Sequence, residues 1–216
     1  MTETVLVVIG AIAVVRVLHM TCAASIQWMA IPGVLVTAAL VPAWIRKREF
    51  PRVGLRGEGA LCLSAGTVGC VCLSVFPAAF FGLWVLTLLN LPVPLRPIVP
   101  ERRDWLAWLL YQFFYVAVAE EVFFRGYVQA NAMSWLRCAG RRPGITAPWA
   151  AVFLSAGCFA AAHIVVQGQP TAALTFLPGL ILGWLFFRTG SLLAPIVFHG
   201  LANVSYAVIT MTLAQP

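Results

Sequence analysis

Val5 to Ile45 is one apolar block, free of charge except at Arg16 and His19, and it decides what the chain can fold into. It is too long for a single membrane span of ~20 residues. A split near Met20–Ser25 makes it two. In lipid only helices and closed barrels satisfy their own backbone hydrogen bonds. Barrel strands read as ~10-residue segments of alternating polarity, and none are seen. With 62% hydrophobic and 10% charged residues and a mean hydropathy of +0.93, the chain reads as an all-α, polytopic transmembrane helix bundle, a single integral membrane domain over residues 1–216.

The remaining apolar runs give about seven spans. Arg46–Gly59 is a basic polar loop, and Ala60–Asn90 is the third span, with a kink expected at Pro77. A proline-rich connector, Leu91–Asp104, leads into a fourth span from Trp105 to about Val128, with helix continuing as far as Leu136. A second basic loop, Arg137–Gly144, precedes spans at Ala147–Val166, Thr171–Phe187 and Ser191–Leu213. Seven spans put Arg46, Lys47, Arg48, Arg52, Arg56, Arg137, Arg141, Arg142 and Arg188 on one side. Arg96, Arg102, Arg103 and Arg16 fall on the other. The positive-inside rule makes the first side cytoplasmic, so the N-terminus is expected in the cytoplasm, in the cell's inner membrane. The net charge of +7 is accounted for by these loops; lipid bilayer, not nucleic acid, is the expected partner. No cleaved signal peptide is expected, because Met1–Thr4 lacks a base and the apolar run continues past Met20. The six cysteines form no C-x-x-C pair, and most lie in or beside apolar runs, where Cys behaves as a small hydrophobe.

Against this background Ala117–Val128, AVAEEVFFRGYV, stands out. A charge at the bilayer centre costs roughly 2.5–3.5 kcal/mol on insertion scales, and here three occur within six residues. On a helix Glu121 and Arg125 are i,i+4 and can pair. Glu120 is rotated by ~100° from Glu121 and lacks that partner, so one carboxylate is held and the other free. Few polar residues lie deep in the later spans: His163 in one, and His199 with Asn203, one turn apart on a shared face, in another. A carboxylate, two imidazoles and an amide can supply a base, a water-positioning group and oxyanion donors. Any one of them alone is more often a packing or helix-joining residue; all of them together, in a chain with almost no other buried polar groups, favour chemistry.

Glu120-Glu121-x-x-x-Arg125, then Phe159-x-x-x-His163, then His199-x-x-x-Asn203, resemble the three motifs of the CPBP family, the CAAX-protease and bacteriocin-processing (Abi) intramembrane proteases. The resemblance runs from about Trp105 to Leu213. It implies that Glu120 activates a water with help from His163, that His199 and Asn203 stabilise the oxyanion, and that Glu121 and Arg125 are structural, with Phe159 as a supporting residue. It also implies a membrane-associated protein or peptide substrate: a prenylated C-terminus, a bacteriocin leader or a C-terminal sorting signal.

No metal is expected, since there is no H-E-x-x-H. The alternative is a zinc held by Glu120, His163 and His199. A transporter or proton relay would also place Glu and His inside the membrane, but the paired broken helices of such proteins are not evident. A non-catalytic immunity or scaffold protein on the same fold is the other alternative. Cys158 with His163 makes a poor thiol dyad, because residues five apart diverge by ~140° on a helix. Measured at ~1.5 Å per residue, Glu120 and His199 lie ~12 Å from the cytoplasmic ends of their spans and His163 ~24 Å. The fifth span is therefore expected either to begin nearer Val152 or to tilt.

Overall fold

The first apolar block divides where expected. The computed structural model describes residues 1–47, 57–89, 91, 104–138 and 146–213, with backbone alone at 57–64 and 146. Helix α1 (Thr2–Thr21) stops at Cys22 and Ala23, both in extended conformation, and α2 (Ala24–Ile45) starts directly after. The Gln27 side chain donates to the carbonyls of His19 (3.1 Å) and Cys22 (2.7 Å), satisfying groups that the end of α1 leaves open. An ion pair between Glu3 and Arg46 ties the far ends of the two helices, so they form an antiparallel hairpin.

Helix α3 (Gly57–Leu88) runs unbroken through Pro77. Helix α4 spans Trp105–Cys138 as 34 continuous residues, and α5 covers Thr146–Gln167. A 3₁₀ turn, Pro170–Thr175, feeds α6 (Phe176–Thr189). Gly190, at φ +66°, then ends α6 in the left-handed conformation that glycine adopts without strain, and α7 (Leu193–Leu213) closes the bundle. Seven helices among the described residues are long and apolar enough to cross a membrane, and no strand occurs among those residues. The chain is an integral membrane helix bundle. The expected loops at Arg46–Gly59 and Arg137–Gly144 and the connector at Leu91–Asp104 lie largely outside the described residues.

Large apolar side chains such as Leu6, Met29, Trp44 and Leu73 point outward, as lipid permits, while small ones are among those enclosed between the helices. Ala39, Ala117, Ala132, Ala151, Ala156 and Ala207 are fully enclosed, and such residues let backbones approach where no hydrophobic force drives helices together. One core joins Val8, Ala11 and Val15 of α1 and Leu35 and Ala39 of α2 to Ala119, Phe123 and Tyr127 of α4, Phe159 of α5 and Ile196 of α7. A second seats α3 on α6 and α7 through Val68, Leu182, Leu185 and Phe198, with Phe76 stacked on Phe198.

The fourth and fifth spans refine what was expected. The fourth span is not a regular α-helix: it widens into π-helix at Gln112–Ala117 and again at Val122–Gln129, with one α turn, Val118–Glu121, between them. Such insertions shift side-chain phase and gather at functional sites. The fifth span runs Thr146–Gln167, in keeping with the expected Ala147–Val166; the alternative start nearer Val152 is not taken, because Val152 is itself a mid-helix packing residue. It is fully buried where Gly183 of α6 comes in, and a Cβ on that glycine would stand 3.0 Å from the Val152 Cγ1.

Candidate active site

The α turn between the π-helical segments carries both glutamates. Glu121 points into the bundle and Arg125 follows it; both are 0% exposed. Arg125 Nη1 donates to Glu121 Oε1 at 2.9 Å, and Nη2 donates to the Gly179 carbonyl of α6 at 3.1 Å. The guanidinium lies over the Phe159 ring, 4.7 Å from its centroid, a cation–π contact. Arginine's fixed fork and its readiness to stack suit it to a buried ion pair of this kind.

His199 completes the buried network. Its Nδ1 lies 2.7 Å from Glu121 Oε1, so a single carboxylate oxygen accepts from arginine and histidine together. A carboxylate accepts and does not donate when ionised, so Nδ1 carries the hydrogen and Nε2 turns the other way. There it faces Glu120 Oε2 at 3.8 Å. Glu120 is 19% exposed, and that oxygen is enclosed without a hydrogen-bond partner. The held and the free carboxylate thus stand on either side of one imidazole. The resemblance cast Glu121 as structural; the added feature is that it also orients His199.

Glu120 forms part of the wall of a cleft of 210 Å³ between α2 and α4, with Trp28, Pro32, Leu35, Tyr111, Tyr115 and Ala119 around it. Trp28 stacks on Tyr111 at 4.8 Å and Tyr111 on Tyr115 at 5.7 Å, which makes one side of the cleft aromatic.

Phe159 gathers the rest. Its ring lies 4.4 Å from the His163 ring and 6.0 Å from that of His199. His163 Nδ1 is 2.9 Å from the Phe159 carbonyl. A carbonyl only accepts, so Nδ1–H donates, and in the neutral ring Nε2 keeps an open lone pair. Asn203 sits one turn along α7 from His199 and donates from Nδ2 to Gln112 Oε1 at 2.9 Å. The zinc set of Glu120, His163 and His199 is not drawn together: among the described residues no three His, Cys, Asp or Glu side chains form a group able to hold a metal ion.

Several participants escaped the sequence reading. Gln112 contacts Asn203, and Gln129 donates to the Gly183 carbonyl at 2.9 Å, repeating one turn on what Arg125 does at Gly179. Ser155 donates to the Phe124 carbonyl at 2.8 Å inside the second π-helical segment. Glu121, Arg125 and Gln129 fall at i, i+4 and i+8, and Gly179 and Gly183 form a G-x-x-x-G pair. That polar stripe and its small-residue counterpart were the available signals.

Together the fold and these contacts define an integral membrane helix bundle with a carboxylate–imidazole site enclosed between its helices. Residues 102–205 match the family model described as type II CAAX prenyl endopeptidase Rce1-like, a protease family of CPBP type. No match was found among curated proteins or among solved structures.

Proposed function

We propose that the protein is an intramembrane endopeptidase that hydrolyses a peptide bond of a membrane-associated protein, using water activated by Glu120. The observation that carries this reading is the Glu120 Oε2 atom, enclosed, without a hydrogen-bond partner and 3.8 Å from His199 Nε2, on the wall of the cleft. A general base needs an open lone pair within reach of the proton it takes, directly or through one water.

In the proposed reaction a water donates to Glu120, and the oxygen attacks the peptide carbonyl carbon as the proton passes to the carboxylate. His163, with its Nε2 lone pair, helps hold that water. The tetrahedral oxyanion is met by donors from Asn203 and His199. An imidazolium at His199 donates from both nitrogens and brings the formal charge of Glu120, Glu121, Arg125 and His199 to zero. Collapse breaks the C–N bond, the proton on Glu120 goes to the leaving nitrogen, and a carboxylic acid and an amine depart, the acid's remaining proton passing to the amine once both are free. No step passes through a metal.

The family description names CAAX prenyl endopeptidases, so a farnesylated peptide ending in Cys-aliphatic-aliphatic-X is the first substrate to test. Glu120→Gln keeps shape and hydrogen bonding but cannot take the proton, and should lower kcat by ~10²–10⁴ at an unchanged melting temperature. A fully active Glu120→Gln enzyme overturns the assignment.

A further inference from the structure

Asparagine is an ambiguous oxyanion donor. Its carboxamide has an acceptor face and a donor face of nearly equal shape, and a half-turn about its last bond exchanges them. An oxyanion site works only if the donor is aimed before charge develops, so something must fix which face Asn203 presents. Among the described residues the structure shows one side chain in position to do this: Gln112, whose Oε1 accepts from Asn203 Nδ2 at 2.9 Å.

The backbone is arranged to permit that contact. Gln112 opens the first π-helical segment of α4, and its neighbour Phe113 lies against Gly200 of α7, where any Cβ would collide with the phenyl ring. Gly200 stands between His199 and Asn203 in sequence. The one position of α7 that lacks a side chain is thus where the Phe113 ring of α4 is seated, beside the Gln112–Asn203 contact. One N–H of Asn203 is engaged by Gln112, and the second is left for another acceptor.

We propose that Gln112 is a positioning residue for the peptidase reaction: by accepting one Asn203 N–H it fixes the carboxamide so that the other N–H is directed at the oxyanion. This rests on the peptidase reading above. Gln112 itself touches no reacting atom.

Two measurements test it. The first is kinetic, with the farnesylated CAAX peptide as probe. Gln112→Met removes the acceptor at similar size and should lower kcat about tenfold or more with KM nearly unchanged. Gln112→Glu keeps an acceptor and should stay within a few fold of wild type. On an Asn203→Ala background Gln112→Met should cost nothing further, because the residue it orients is gone. Should Gln112→Met fail to fold, Gln112→Ala, which adds no bulk, takes its place. The second measurement needs no activity. The chain has three asparagines, Asn90, Asn131 and Asn203, so selective nitrogen-15 labelling resolves the Asn203 amide protons. Their exchange with water should quicken in Gln112→Met and not in Gln112→Glu. Wild-type kcat in Gln112→Met, a loss that adds in full to that of Asn203→Ala, or unchanged amide exchange would each overturn the proposal. A wild-type enzyme that cleaves nothing overturns the peptidase reading and the catalytic role of Gln112 with it; the amide signals then report only whether the contact itself exists.

Discussion

Glu121 and Arg125 differ from Glu120 in what surrounds them, and that difference makes them separable by experiment. Replacing Glu121 by Gln leaves a guanidinium enclosed without its counter-charge, although Gly179 and Phe159 still hold it. Stranding a buried charge this way typically costs ~3–5 kcal/mol. Glu121→Gln should therefore lose yield or melting temperature along with activity, and the double change Glu121→Gln, Arg125→Met should recover part of the stability. If Glu121→Gln is well folded and inactive while Glu120→Gln cleaves normally, the two roles are exchanged. This pair was legible in the sequence because opposite charges four apart in an apolar span have few other ways to be accommodated. The tie from Glu121 to His199 was not, since residues 78 apart in sequence meet only through the packing of α4 on α7. Gln112 and Gln129 stayed hidden for another reason. A neutral amide costs far less in lipid than a charge, so its presence in a span carries little signal.

Helix α4 is where local structure departs most from what periodicity predicts. Hydrophobic patterning located its ends, but the π-helical segments depend on neighbours: Gly200 admitting Phe113, and Ser155 capturing the Phe124 carbonyl. Close approach at Gly200 gives a prediction at this scale. Gly200→Ala should destabilise the protein by about 1–3 kcal/mol through overpacking, seen as a lower melting temperature. Adding Phe113→Leu should restore most of it, because the clash is with the ring. A Gly200→Ala protein that melts like wild type would mean that α7 can withdraw without loss. The G-x-x-x-G face of α6 is tight in the same way: at Gly183 a Cβ would stand 3.0 Å from both Gln129 Oε1 and Val152 Cγ1.

For the molecule as a whole, the seven helices are present, and their orientation is a separate matter. Nine bases against four lead us to expect the Arg46–Gly59 and Arg137–Gly144 loops in the cytoplasm and Pro216 outside. Reporter fusions in those loops and at Pro216 check this; a cytoplasmic signal at Pro216 with cytoplasmic loops would mean that not all seven helices cross the membrane, the first place to look being the Val5–Ile45 block. We also expect peptide cleavage to withstand strong chelators; activity lost to a chelator and restored by zinc would return the metal reading.

The staple between Arg16 of α1 and α5 sets a limit on how the protein can be divided. Arg16 Nη1 donates to the Val166 carbonyl at 2.7 Å, at the end where α5 runs out of intrahelical partners, and its guanidinium lies beside Gly168, which adopts φ +68°. Helix α2 in turn supplies part of the cleft wall beside Glu120. The segment that matches the family model therefore starts at residue 102, while the packed bundle it belongs to starts a hundred residues earlier. Any exchange of parts between relatives that respects the first boundary cuts through the second. A chain opened between Leu91 and Asp104 should accordingly be inactive as its C-terminal piece alone and regain cleavage when both pieces are made in the same membrane. Family resemblance and packing then draw their borders at different places in one small protein, and the N-terminal helices are held to the site by that staple and that wall.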